Sequence, residues 1–255
     1  MDKQQLTEHL EDVLQDGYDF RIGQYISEGW DIYKSLFAEF LGFAVVMILI
    51  TIFTSFIPFA SILLSAPLTA GFYLVAHRLV TNNYEGFSNF FDGFKFFGPL
   101  VLQTLVILVI SLAIMLPFMI SLGLQQYSYL SFTEEFNPED IAMVMALVKR
   151  FSLAMIPIFF IVICLIFAPF FVLFFKQDFW SGIVYSFKFV LKNWIMVFLF
   201  GVVLSLISLG GMFVLFIGLL FVMPLIYTAM YAAFADITRL YDINKPEEDF
   251  GIEEI

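Results

Sequence analysis

Four stretches of this chain carry no Asp, Glu, Lys or Arg: Phe40 to His77, Phe96 to Thr133, Phe151 to Phe175 and Asn193 to Ala235. A helix that crosses a membrane takes about 20 mostly apolar residues. The first and last stretches are long enough for two such helices each, and the middle two hold one each. The pattern predicts six spans, over about 38–57, 60–80, 99–122, 152–175 and a pair within 193–235. Ahead of three of them the pattern changes. Ile26, Trp30, Tyr33 and Phe37 are spaced four, three and four apart, and so are Phe90, Phe94, Phe97 and Val101, and Ile183, Phe187, Val190 and Trp194. That spacing puts each set on one face of a helix, which predicts three amphipathic helices lying at the membrane boundary.

Proline gives the three segments a common measure. Pro67 follows Trp30 by 37 residues, Pro224 follows Phe187 by 37, and Pro169 follows Phe94 by 75. The expected organisation is therefore three parallel repeats, each an amphipathic helix, a span, and a span with a proline, over about 22–81, 86–176 and 179–236. The middle copy carries an insertion at 123–150. Proline inside a helix removes a hydrogen bond, and a membrane helix tolerates it where neighbours satisfy the freed backbone. Pro67, Pro169 and Pro224 are expected to kink three helices at matching depth. Either the kinks serve packing alone, or they ring a cavity.

The remaining segments are short. Residues 1–20 predict an acidic helix at about 4–16 with Leu6, Leu10, Val13 and Leu14 on one stripe and Gly17 as its stop. Asn137-Pro138-Glu139-Asp140 reads as a helix start within the insertion. The turn between the last two spans is expected near Gly210-Gly211, and 241–255 is an acidic tail. The first residues lack an apolar core, so no signal peptide is expected. Gln103, within the third span, is the kind of side chain that ties helices together by hydrogen bonds.

Composition agrees with the membrane class. The 255 residues are 61% hydrophobic and 14% charged, with a mean hydropathy of +0.93. Soluble domains are about 45–50% apolar and about 25% charged. The net charge of −11 excludes an electrostatic nucleic-acid binder. Lys and Arg set orientation. Lys3, Arg21, Lys34, Arg78, Lys95, Lys176, Lys188, Lys192, Arg239 and Lys245 fall on the side of the termini, against Lys149 and Arg150 on the other. Both termini are thus expected in the cytoplasm, with 123–150 outside it. Trp30, Phe94, Phe187, Trp180 and Trp194 are then anchors at the interface, where aromatic rings concentrate.

Little chemistry is on offer. No acid, Lys or Arg stands at mid-depth, where ion and proton paths are usually marked by such residues. His9, His77 and Cys164 are too few and too scattered for a metal site or a nucleophilic triad. His77 reads as a boundary histidine. The acids Glu134, Glu135, Glu139 and Asp140 lack the alternation and glycine of a calcium loop. No enzyme, metal or cofactor is expected.

Spans that reach Ala168-Pro169 or Met223-Pro224, together with the aromatic helix Ser186–Trp194 (SFKFVLKNW), resemble a large group of bacterial six-span inner-membrane proteins. That group includes the membrane domain preceding some glycerophosphodiester phosphodiesterases, and stand-alone relatives. Some of these carry the label "beta-carotene 15,15'-monooxygenase". The resemblance, over about residues 20–240, implies a six-span bundle in a bacterial inner membrane. This chain has no segment of barrel size for the phosphodiesterase, and no iron ligands for the oxygenase. The expected role is a membrane scaffold or accessory protein binding lipid or a protein partner. The alternatives are a carrier for a lipid-like or apolar molecule and, behind it, a membrane oxygenase.

Overall fold

A computed structural model describes residues 2–57, 59–129, 138–213 and 217–243. The described residues form helices and turns, with no strand among them. In order they are α1 (Lys3–Asp16), α2 (Ile22–Ser35), α3 (Phe37–Thr54), α4 (Ala60–Val80), a 3-10 helix (Phe87–Phe96), α5 (Phe97–Tyr129), α6 (Pro138–Cys164), α7 (Ala168–Phe175), α8 (Phe179–Lys192), α9 (Trp194–Met212), α10 (Ile217–Ile237) and α11 (Leu240–Ile243). Six stretches are long and apolar enough to cross a membrane: Phe37–Thr54, Ala60–Val80, Phe87–Ile120, Phe151–Phe175, Trp194–Met212 and Gly218–Ile237. The end of the bundle that carries α1 and α2 is called proximal below, and the end with the hairpin turns distal.

Burial sorts the six. Of the most apolar 18 residues in each, half are buried in α4, in Phe151–Phe175 and in α10 (50% each), against 22%, 17% and 22% in α3, Phe87–Ile120 and α9. The three prolines lie in the three inner stretches. In α4 the buried residues begin at Pro67, and in α10 they begin at Pro224. In the fourth stretch they begin at Ile163. Distal to these points the described residues of all six helices bury no side chain, Gly211 aside. One aromatic core therefore fills the proximal half, and the distal halves stand apart.

The proximal half is held by small residues at close contacts. The most extensive pairings in the fold are α10 with α2, α4 with the 3-10 helix, and α7 with α8. A Cβ on Gly29 of α2 would lie 2.5 Å from the Ala229 backbone nitrogen of α10. One on Gly93 would lie 2.0 Å from the Pro67 carbonyl oxygen, and one on Gly71 2.0 Å from that of Phe90. Helices in lipid gain little from burying apolar surface against each other, so backbone proximity and dispersion decide the contact, and small residues take it.

The structure corrects several expectations. Of the set Ile26, Trp30, Tyr33 and Phe37, only Tyr33 is buried in the protein, and α2 also buries Tyr25, Gly29 and Ile32. Trp30, Phe94 and Phe187 are similarly exposed, at 42%, 36% and 38%. The middle amphipathic helix is 3-10, not α. The fourth span is not one continuous helix, because the helix gives way to a turn between Cys164 and Ala168. Pro169 therefore stands in the first turn of α7 and kinks no helix interior, while Pro67 and Pro224 do lie inside α4 and α10. Proline has no N–H to give and its ring crowds the carbonyl four residues back, which favours a restart there. Gly210 and Gly211 lie within α9, so the turn comes after Met212. The glycines serve the hairpin instead: Gly211 and Gly218 let α9 and α10 touch through backbone atoms. Asn137 and the acids Glu134 and Glu135 lie outside the described residues.

Candidate functional site

The repeating feature of α4 is a polar side chain at every fourth residue: Ser61, Ser65, Thr69, Tyr73, His77 and Thr81, the last just past its end. Residues four apart are neighbours on a helix surface, so these side chains form one slowly winding stripe from the distal end to the proximal end. The serines and threonines first satisfy their own helix. Ser65 donates to the Ile62 carbonyl (2.8 Å), Thr69 to that of Ser65 (2.5 Å) and Thr81 to that of His77 (2.9 Å).

Helix α10 answers the stripe with hydroxyls. Tyr227 stands beside Thr69. The Tyr73 hydroxyl donates to Met230 Sδ (3.9 Å), and His77 Nδ1 lies 2.9 Å from the Tyr231 hydroxyl. Tyr231 in turn stands beside Tyr241, on α11. Between these groups the rings are packed. Tyr73 lies on Phe170 with centroids 4.1 Å apart and edge-on to Tyr227 at 5.8 Å, and Phe174 lies 4.8 Å from the His77 ring. The column is thus polar along its length and closed in the middle by aromatic rings.

It ends proximally in a cavity of about 670 Å³ lined by His77, Arg78, Val80, Thr81, Asn82, Asn83 and Tyr241. That size falls within the range of about 300–1,000 Å³ seen for small-molecule sites. Asn82 turns the chain around its rim in the left-handed region (φ 56°). Arg78 is held by Asp92, whose carboxylate lies 2.5 Å from Nη2 and also takes Lys95 at 2.6 Å. The other guanidinium nitrogen, Nη1, is buried without a partner in the protein.

A second proximal cavity, about 630 Å³, is lined by Asp16 to Asp19, Arg21, Asp236 and Arg239. Four of its charges are paired, Arg21 with Asp236 (2.5 Å) and Arg239 with Asp16 (2.8 Å), and Tyr25 also donates to Asp236 (2.7 Å). These contacts join α2 and the end of α10 to α1, which makes the cluster a structural clasp.

The break ahead of α7 is sealed by side chains from its neighbours. The Phe167 N–H donates to Ser186 Oγ (3.2 Å), and the Ser186 hydroxyl donates to the Cys164 carbonyl (2.8 Å). Gln103 donates through Nε2 to the carbonyls of Ala168 and Phe179, both at 3.1 Å. Gln103 thus ties α5 to α7 and to the start of α8.

Helix α1 lies across α7 and α8. Leu6, Leu10, Val13 and Leu14 are buried, and Gly17 closes the helix in the left-handed region (φ 79°). Glu11 accepts from Lys188 (3.0 Å) and Tyr185 (2.9 Å), the Gln177 amide donates to Thr7 (3.1 Å), and His9 Nε2 lies 2.9 Å from the Thr238 carbonyl. The Lys188 hydrogen bond, with that from Tyr185, holds the Glu11 carboxyl below its usual value against the opposing effect of burial. Asp178 is lowered too, first by the Ser181 backbone N–H that it caps. A carboxylate lowered in the folded state stabilises that state above its unfolded pKa. The contribution is lost as pH falls through the lowered value. Docking of α1 is therefore expected to loosen below about pH 4. The pair is half exposed, so the effect is at most about 1 kcal/mol. Glu11→Gln should reproduce it at pH 7, as an up to about fivefold loss of amide-exchange protection in α1. Unchanged protection in that variant would show that the apolar stripe alone holds the helix.

The sequence-derived positions scatter around these features. Pro67 and Pro224 are buried and Pro169 partly so, all three in the inner stretches. Trp30, Phe94, Phe187, Trp180 and Trp194 are all on the outside of the proximal half. Among the described residues no group of three or more His, Cys, Asp or Glu side chains comes together. The reading of His77 as a boundary residue missed its place in the α4 stripe, although the four-residue spacing was there to find it. No family model, curated protein or solved structure matches the chain.

Proposed function

We propose that this is a non-catalytic scaffold or accessory protein of a bacterial inner membrane, with both termini cytoplasmic, which binds membrane lipid or a partner span through its distal half. One observation carries the reading. The proximal half is a filled aromatic core, while the described residues in the distal halves of six apolar helices are only half-buried or exposed, Gly211 aside. Phe56 and Phe213, in the turns just past α3 and α9, are exposed at 84% and 89%. In a bilayer such surfaces are solvated by acyl chains or by another apolar helix.

Three parallel units form part of the proposal. Its support is the order of packing: α4 lies on the 3-10 helix that follows it, α7 lies on α8, and α10 returns to α2. Each proline-bearing stretch thus meets the amphipathic helix of the next unit, and the third meets the first. The likeness to bacterial six-span proteins belongs to the same proposal.

A carrier for a lipid-like molecule is the second reading. It is favoured by the polar stripe of α4, which links the open distal half to the proximal cavity. Its obstacle is the ring plug of Tyr73, Phe170 and Tyr227. Native mass spectrometry of the full chain, extracted in a mild detergent, tests the proposal. Retained lipid or a stoichiometric protein partner is the expected result. A bare protein of undiminished stability after exhaustive delipidation would overturn it. Lipid flux across proteoliposomes that stops when Tyr73 and Tyr227 are cross-linked would favour the carrier.

A further inference from the structure

We propose that the polar stripe of α4, at its middle, binds the head of an uncharged, single-headed amphiphile such as a long-chain alcohol. The hydroxyls of Tyr227, Thr69 and Ser65 take the head, and the tail runs along the distal halves of α4 and α10. The inference rests on the reading of the distal half as a lipid-facing surface, and it names the class of lipid selected there.

Depth is the first constraint. Thr69 and Tyr227 stand halfway along two helices of 21 residues, α4 and α10. The apolar layer of a bilayer is about 30 Å thick, so these hydroxyls lie about 15 Å from either boundary. The packed core ends at this level. Tyr73 is 4% exposed and Phe170 is fully buried, whereas Thr69 and Tyr227 are half-buried and Ser65, one turn distal on the same stripe, is exposed. The stacked rings of Tyr73 and Phe170 thus close the stripe just proximal to the three hydroxyls.

Hydrogen bonding is the second. Ser65 and Thr69 give their protons to carbonyls of their own helix, which leaves both oxygens as acceptors. Tyr227 stands beside Thr69, and its hydroxyl donates to no group among the described residues. A hydroxyl without a partner in hydrocarbon is costly. An ordinary phospholipid does not relieve it, because its phosphate and esters stay at the boundary and only methylene groups reach this depth. A charged head is not drawn down either. No Asp, Glu, Lys or Arg stands between Ala60 and His77 of α4 or between Ile217 and Ala235 of α10, and an unpaired charge is the costliest group to place at mid-depth. The head that fits is small and neutral, accepts from Tyr227 and donates to Thr69 or Ser65. A hydroxyl does both. Ile62, exposed one turn beyond Ser65, suits the tail.

The experiment uses the full chain in a neutral maltoside micelle with three probes: oleyl alcohol, octadecene and dioleoylphosphatidylglycerol. Binding is read by native mass spectrometry. An oleyl alcohol analogue with a diazirine beside its hydroxyl maps the head by photolabelling. The alcohol is expected to bind more tightly than octadecene, to label α4 or α10 near Thr69 and Tyr227, and to keep its place in excess phospholipid. Tyr227→Phe retains the ring and should cut the preference for the alcohol over octadecene about two- to tenfold, the worth of one neutral hydrogen bond. Should that variant fail to fold, Thr69→Val, which keeps the side-chain shape, decides by the same ratio. Ser205→Ala, which removes an exposed hydroxyl from α9, should leave the ratio unchanged. Four results would each overturn the proposal: an alcohol that binds no better than octadecene, a preference indifferent to both Tyr227→Phe and Thr69→Val, a head that labels only other helices, or a head displaced by phospholipid. Phospholipid retained with no preference for the alcohol would remove this inference and leave the reading of the distal half standing. Retention of none of the three probes would remove both.

Discussion

Alanine at Gly71 or Gly93 is expected to force the 3-10 helix off α4 and to leave little folded protein in mild detergent. The new methyl carbon would lie 2.0 Å from the Phe90 carbonyl oxygen in the first case and 2.0 Å from that of Pro67 in the second. Both obstacles are backbone, so no rotamer change relieves them. Overpacking in a core costs about 1–3 kcal/mol and sometimes more, and these two substitutions belong at the top of that range. Gly29→Ala should follow, since its methyl would meet the Ala229 backbone at 2.5 Å. Gly23 and Gly201 are the controls, because a Cβ at either meets nothing within 4 Å. Alanine there should be neutral or stabilise by about 0.5–1 kcal/mol through helix propensity. Thermal unfolding and monodispersity of the five variants check this. Gly71→Ala and Gly93→Ala behaving like Gly23→Ala would refute the close-contact account of the proximal half.

The same glycines show where the sequence was legible. Hydropathy alone located the six membrane-length stretches, because an uncharged run of that length has few other uses. The stripe Leu6, Leu10, Val13 and Leu14 was readable for the same reason: α1 is polar, so its few apolar residues show the buried face. The amphipathic helices are legible only in part. Trp30, Phe94 and Phe187 read as anchors at the interface, and all three lie on the outside of the proximal half, but their spacing does not show which face of each helix meets the protein. Where lipid is as apolar as the core, aromatics lose nothing by facing out, and Gly29 and Gly93 hold the helix contacts. A reader weighing small residues above large ones would have placed that face correctly.

The candidate site was less legible. Ser61, Ser65, Thr69, Tyr73, His77 and Thr81 form an unbroken polar series in the sequence, but hydropathy averages across it and hides the stripe. The partners Tyr227, Tyr231 and Tyr241 lie about 150 residues further on, and no local pattern joins them to α4. Arg78 and Asp92 are separated by an Asn82 turn whose left-handed geometry only the fold reveals. The break ahead of Pro169 was hidden too. It depends on Ser186, a single hydroxyl in a run of aromatics, being placed to satisfy Phe167 and Cys164.

Phe234→Ala should cost more stability than any other single truncation in the aromatic core. Phe234 is fully buried on α10. It touches all five phenylalanines that bracket and form α7: Phe167, Phe170, Phe171, Phe174 and Phe175, at centroid distances of 5.9, 4.8, 5.1, 6.1 and 5.9 Å. One ring thus holds a short helix of eight residues, cut off from α6 by the break, in place against α10. Removing a buried phenyl group costs about 3–5 kcal/mol in soluble cores. In lipid the transfer part of that cost shrinks, while the cavity and the lost ring contacts remain. A loss of about 3 kcal/mol is expected, or roughly 6–12 °C in the thermal midpoint at this chain length. Phe234→Leu should lose about half as much, since it refills part of the cavity. Phe175 also stacks beneath His9 at 6.3 Å, so α1 should loosen in the same variant and lose exchange protection. Phe56→Ala removes an equally large ring from the exposed distal half and should change the midpoint by no more than about 2 °C, as surface substitutions do. Equal midpoints for Phe234→Ala and Phe56→Ala would mean that the proximal half is no tighter than the distal half, and the division of the bundle into a closed end and an open end would fall.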